Sequence, residues 1–207
     1  MRKILSIMVV CLCCMHQVAV AQDMRSLFLN APDDIFPLLT TNGRADCVDY
    51  AEAGMKASVT NRLGGASVLE KLTGDYMYLA SSAGSWSEAK LLPGNEDTVV
   101  CLIKGIRAEA ADSRLAFYDL EWNRICADSM FMEPCIDDFF LSADSAALYS
   151  GMCDIYLVRY SLSQSEHMLE AEYTMPEYMN EDDAAKLRPL LRTVQYMWNG
   201  KRFVRRE

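Results

Sequence analysis

The stretch Thr98-Val99-Val100-Cys101-Leu102-Ile103-Lys104-Gly105-Ile106 holds an unbroken apolar run from Val99 to Ile103 with no polar alternation. A run of this length, rich in β-branched residues and bounded by turn residues, reads as a strand covered on both faces. Its chain neighbours read as strands too: residues 75–82 and 85–92 before it, 114–120 after it. The joints are Ala83-Gly84, Pro93-Gly94-Asn95 and residues 108–113. Gly, Pro and Asn between β-rich runs are turn chemistry, so the four segments predict an antiparallel meander of about four strands.

Upstream the period changes. Cys47, Ala51, Met55, Val59 and Leu63 recur every four residues, which predicts one helix over residues 44–63, stopped by Gly64-Gly65. Met24, Leu27 and Phe28 suggest a shorter helix, and Pro32 and Pro37 break the stretch between the two. Downstream, Asp137-Asp138-Phe139-Phe140 suggests a short helical turn, and residues 149–162 read as a long strand. Leu169, Ala171, Tyr173 and Met175 alternate as a half-exposed strand. Asn180 caps a helix opening Glu181-Asp182-Asp183, where acids suit the positive end of the dipole, and Pro189 ends or kinks it. Val194, Tyr196 and Trp198 alternate into Asn199-Gly200, read as a two-residue hairpin turn with residues 201–205 returning. Strands in runs and helices in runs predict an α+β fold: an antiparallel sheet, further C-terminal strands, and N-terminal helices packed on it. With no linker-like stretch, residues 22–207 read as a single α+β domain that admits a weak two-half duplication.

Residues 1–21 read as a secretory signal peptide. Arg2 and Lys3 start it, residues 4–15 are apolar but for Ser6, and Ala19-Val20-Ala21 carries the small residues of a cleavage site. The apolar run is short of the roughly 20 residues a membrane span needs. Cys11, Cys13 and Cys14 lack the small residues that precede a lipidated cysteine. Cleavage takes Arg2 and Lys3 but no acid, so the net charge moves from -9 to -11. An acidic chain is a poor nucleic-acid partner, and no later segment is apolar enough to span a membrane. Five cysteines remain after cleavage. Cys126 and Cys135 flank an expected loop and are the candidate disulfide, which at about ten residues would contribute roughly 2–3 kcal/mol. The other reading leaves all five reduced in the core.

The absent motifs narrow the chemistry. His167 is the single histidine after cleavage, and no Cys-x-x-Cys occurs, so histidine-rich and ribbon-type metal sites lack ligands. Neither Asp137-Asp138 nor Glu181-Asp182-Asp183 has the spacing of a calcium loop. There is no Gly-x-Ser-x-Gly elbow and no glycine-rich nucleotide loop. No catalytic residue, metal ligand or cofactor is assigned. Aromatics including Trp86, Trp122, Trp198, Tyr156 and Tyr178 could form a face for a protein, peptide or glycan partner. The expectation is a non-catalytic binding or structural protein; the alternative is a carboxylate-dependent hydrolase of glycan or peptide.

Four stretches carry a resemblance. They are Met55-Lys56-Ala57-Ser58-Val59-Thr60-Asn61-Arg62-Leu63-Gly64-Gly65; Asp112-Ser113-Arg114-Leu115-Ala116-Phe117-Tyr118 with Trp122; Pro176-Glu177-Tyr178 to Leu187-Arg188-Pro189-Leu190; and Trp198-Asn199-Gly200-Lys201-Arg202-Phe203. In that order, behind the signal peptide, they resemble a family of exported proteins of the Bacteroides group known as a domain of unknown function. The resemblance implies a periplasmic or extracellular location and brings no site residues.

Overall fold

The structure, a computed structural model, describes residues 23–95 and 97–206. The expected signal peptide, residues 1–21, lies outside them. Seven strands follow one another in sequence and in space: β1 (Ser58–Thr60), β2 (Ala66–Leu72), β3 (Tyr76–Ser82), β4 (Ser85–Leu92), β5 (Val99–Ile106), β6 (Asp112–Tyr118) and β7 (Arg124–Ile125). All neighbours are antiparallel. The apolar run in β5 is explained by cover on both faces. Val100 and Leu102 pack toward helices α1 (Met24–Asn30) and α2 (Thr41–Glu52). Val99, Cys101 and Ile103 pack toward a second antiparallel sheet. That sheet has four strands: β8 (Val158–Leu162), β9 (Met168–Tyr173), β10 (Val194–Trp198) and β11 (Phe203–Arg205), in the order β11-β10-β9-β8. Helices α3 (Ala143–Tyr149) and α4 (Glu181–Leu187) each place residues in the core between the sheets. The α+β class and the antiparallel meander of the sequence reading stand, and Asn180 caps α4 by accepting from the Asp183 N–H.

Four local readings are corrected. The helix expected over residues 44–63 ends at Glu52. Gly54 takes φ 68°, its N–H donates to Ala51 O, and the Met55 N–H donates to Tyr50 O. This is the hydrogen-bond pair that terminates helices through a left-handed glycine. The period-four stripe runs across helix, turn and strand: Val59 still meets the helix-side core from β1, whereas Met55 and Leu63 are exposed. The meander has seven strands rather than about four, because β1, β2 and the short β7 extend it. The long strand expected over residues 149–162 survives only as β8; Tyr149 closes α3 and Ser150–Met152 forms a 3-10 turn. Finally, Trp198 pairs with Phe203, so the last hairpin has a four-residue connection. The expected type needs positive φ at both central residues. Only Gly200 has it, while Asn199 Oδ1 accepts from the Lys201 and Arg202 N–H groups.

Candidate functional site

One end of the seven-stranded sheet is open on both faces. On the face toward the second sheet, β8 presents an edge whose outward N–H groups need acceptors. Side chains of the other sheet supply them. Val158 N–H donates to Asp112 Oδ1 at 3.3 Å, Tyr160 N–H to Ser113 Oγ at 2.8 Å, and Leu162 N–H to Glu88 Oε1 at 3.0 Å. Ser113 Oγ donates in return to Val158 O at 3.0 Å. Lys90 Nζ donates to Gln164 O at 2.9 Å and pairs with Asp75 at 2.9 Å. Glu88 is 3% exposed and also accepts from Tyr76 OH at 2.8 Å. Burial pushes its carboxyl up to about 7, against the pull of those two hydrogen bonds. Beside it opens a cavity of about 310 Å³ that reaches Tyr78, Trp86, Arg107, Arg159 and Glu177. The Trp86 ring lies on Gly105, where an added Cβ would come within 2.2 Å of it. Arg107 stacks on Trp86 at 5.5 Å and donates to Tyr78 OH at 2.6 Å.

The opposite face holds a larger groove of about 440 Å³. Its wall is the segment Phe36-Pro37-Leu38-Leu39. Its floor is the part of the sheet that α1 and α2 leave uncovered, including Leu79, Ser81, Ser85, Ser87, Lys104, Arg114 and the acid Asp112. The wall is fixed from behind. Buried Arg44 donates to Ala31 O at 2.7 Å and Leu39 O at 3.3 Å, and it pairs with Asp33. The Arg62 N–H donates to Leu38 O at 2.9 Å. Phe36 packs edge-on against Phe28 and Trp122, and Trp122 Nε1 donates to Leu27 O at 3.1 Å. Trp122 takes φ 65°, an uncommon conformation that its buried ring and its indole hydrogen bond offset.

Two cations stand side by side in the groove floor. Lys104 on β5 and Arg114 on β6 are register partners on one face. Neither forms an ion pair with a described residue. Lys104 Nζ donates only to the neutral Asp34 O, at 3.3 Å, and burial holds its pKa below the ordinary value. An apolar wall over a floor with a few convergent polar groups, at this volume, has the character of a small-molecule site.

The residues singled out in the sequence lie elsewhere. Cys126 and Cys135 are exposed free thiols, while Cys47, Cys101 and Cys153 are buried and their thiols are pushed up by burial. His167 is half-buried just before β9 and lines neither opening. The three tryptophans are buried; Tyr50, Tyr156 and Tyr178 are the exposed tyrosines. Among the described residues there is no cluster of three or more metal-ligating side chains, and no helix is long and apolar enough to cross a membrane. Lys104, Arg114 and Glu88 escaped the sequence reading. The sequence reading begins the strand after the joint at residue 114; the pairing of Ile106 with Asp112, which places Lys104 opposite Arg114, comes from the structure.

Over residues 16–203 the chain matches the family described as "Protein of unknown function (DUF3256)". No curated protein matches it. Among solved structures it is similar to one titled "Structure of a domain of an uncharacterized protein from Porphyromonas gingivalis W83". The TM-score is 0.73 and the identity 27%, covering 87% of this chain and 97% of that one. The neighbour's source fits the Bacteroides link implied by the resemblance.

Proposed function

This chain belongs to the DUF3256 family of proteins of unknown function, and we propose that it is an exported protein that binds a ligand in the groove beneath Phe36-Pro37-Leu38-Leu39 without transforming it. The observation that carries the reading is that groove: an apolar wall held rigid by Arg44, over a floor whose cations pair with no carboxylate among the described residues. Preorganised walls of this kind lower the entropic cost of seating a ligand. Export is supported by the composition of residues 1–21, and a periplasmic or extracellular place follows from it. With Trp86, Trp122 and Trp198 buried, a tryptophan platform for glycans draws no support.

The hydrolase alternative has one observation in its favour: Glu88, raised to about 7, lines a cleft together with Glu177. A general acid must reach its substrate. Glu88 Oε1 accepts from the Leu162 N–H of β8 and from Tyr76 OH of β3, so the position is better accounted for by sheet docking.

Mass spectrometry of the protein recovered from its host's envelope tests the proposal. The denatured mass should match residues 22–207, and because export would bring the two exposed thiols Cys126 and Cys135 into an oxidising compartment, a non-reducing peptide map should show them joined. The native mass should carry an added small molecule that Leu38→Arg loses. A lipidated or uncleaved species would refute export. Two free thiols would end the disulfide. A bare native mass, together with turnover of a glycan or peptide library that Glu88→Gln abolishes, would replace binding by hydrolysis.

A further inference from the structure

We infer that Lys104 and Arg114 form the head-group site of the groove, and that its ligand is an amphipathic anion, an apolar body ending in one carboxylate or phosphate. The inference rests on the groove being the ligand seat. Like charges directly opposite on adjacent antiparallel strands repel each other, so a sheet gains nothing from this pair unless an anion sits between them. What sets the two apart from bases elsewhere that form no ion pair among the described residues, such as Lys56 and Arg124, is that they stand opposite each other on adjacent strands and line an apolar groove. Arg25, Arg62, Lys90, Arg159, Arg188 and Arg205 each reach a carboxylate. In a mature chain with a net charge of -11, two adjacent bases without one are a local excess of positive charge.

The acids nearest the pair are otherwise engaged or absent from the groove. Asp112 lines the groove two residues from Arg114 on β6; its Oδ1 accepts from the Val158 N–H, and it forms no ion pair with either cation. Asp34 meets Lys104 through its main-chain carbonyl, and its side chain makes no ion pair there. A carboxylate or phosphate between the two cations would accept from the lysine ammonium and from the forked guanidinium, in a setting less screened than open water. Ser85 and Ser87 put two further hydroxyls on the same floor. The wall residues Phe36, Pro37, Leu38 and Leu39, with Leu79 of the floor, offer the ligand apolar side chains, so the part of it that lies against them is apolar.

The test is calorimetric titration of the mature protein with dodecanoate, dodecyl phosphate and dodecanol, which share one chain and differ in the head. At least one anion should bind ten-fold or more tightly than the alcohol, and the tighter of the two names the head group. In Lys104→Met/Arg114→Met the anion should fall to the alcohol's affinity while the alcohol is unchanged. The rise in melting temperature that the anion gives the wild type should vanish with it. Arg114→Gln, a change at an exposed position, makes the same comparison should the double variant fold poorly. Equal affinity for anion and alcohol in the wild type would overturn the head-group assignment and leave the groove standing. No binding of any of the three, with the protein folded, would remove the groove reading itself.

Discussion

The two faces at the open end of the seven-stranded sheet use the same strands and opposite logic. Toward the second sheet, β4 and β6 present Glu88, Lys90 and Ser113, and each is committed to a backbone or carboxylate partner. Their work is to dock the edge of β8. Toward the groove, the alternate residues Ser85, Ser87 and Arg114, with Lys104 of β5, line an open floor, and the two cations form no ion pair among the described residues. Satisfied polar groups between packed layers fix a structure, whereas unsatisfied ones in a rigid opening are available to a ligand. The larger titration anomaly, at Glu88, therefore lies on the structural face. A perturbed carboxyl marks a functional site only when it is also free to meet a substrate.

Glu88 offers the strongest way to break this contrast. Its carboxyl stands at about 7 in the fold against an ordinary 4.5. The folded chain thus holds a proton that the unfolded chain releases. The stability this gives is complete below about 4.5 and is lost as pH rises through 7. Between pH 5 and pH 8 the loss from this group is on the order of 2–3 kcal/mol. Glu88→Gln keeps an acceptor for the Leu162 N–H and removes the titration. Urea unfolding should therefore show the variant close to wild type at pH 5 and clearly more stable at pH 8. Equal differences at both pH values would mean that Glu88 is better solvated than its 3% exposure implies.

Ser113 is the next test, on the same face. Truncation to Ala strands the Tyr160 N–H and removes a donor to Val158 O, both buried. The expected loss is about 1–3 kcal/mol, with faster amide exchange at Tyr160. A change below about 0.5 kcal/mol, the range of ordinary surface substitutions, would show that β8 docks by apolar packing alone.

Much of this architecture was legible in the chain. The unbroken run Val99 to Ile103 announced a strand with two covered faces, and the Asn180 cap and the alternation of β9 and β10 were read correctly. The failures share a cause: local pattern without long-range pairing. Cys47, Ala51 and Val59 keep a helical period only because α2 and β1 happen to face the same core. Residues 153–157, read as part of a long strand, pair with no neighbouring strand among the described residues, and Tyr156 instead ties this stretch to an earlier loop through its OH on Pro134 O. The site was less legible than the fold. In β4, Glu88 and Lys90 share a face with Trp86 and Leu92, and nothing local says that a second sheet will cover them. The groove needs its wall, and the wall is set by Arg44, whose buried bonds reach back to Ala31 and Leu39.

The smallest expected effect is the sharpest in sign. Truncation of Ser113 on the docking face should destabilise, whereas Arg114→Met on the groove face should stabilise the ligand-free protein. Met keeps the apolar stem and removes only the charge that faces Lys104 across the strand pair. Relief of a directly opposed like-charge pair is worth about 0.2–1 kcal/mol. Arg114 is exposed, so the gain should shrink as salt shortens the screening length, from roughly 10 Å at 0.1 M to 3 Å at 1 M. Arg114→Lys keeps both charges and should show no gain. Urea midpoints for the three proteins at low and high salt measure the whole pattern. A loss of stability in Arg114→Met at low salt would mean that the guanidinium already has a partner, and the two faces would then differ in degree rather than in kind.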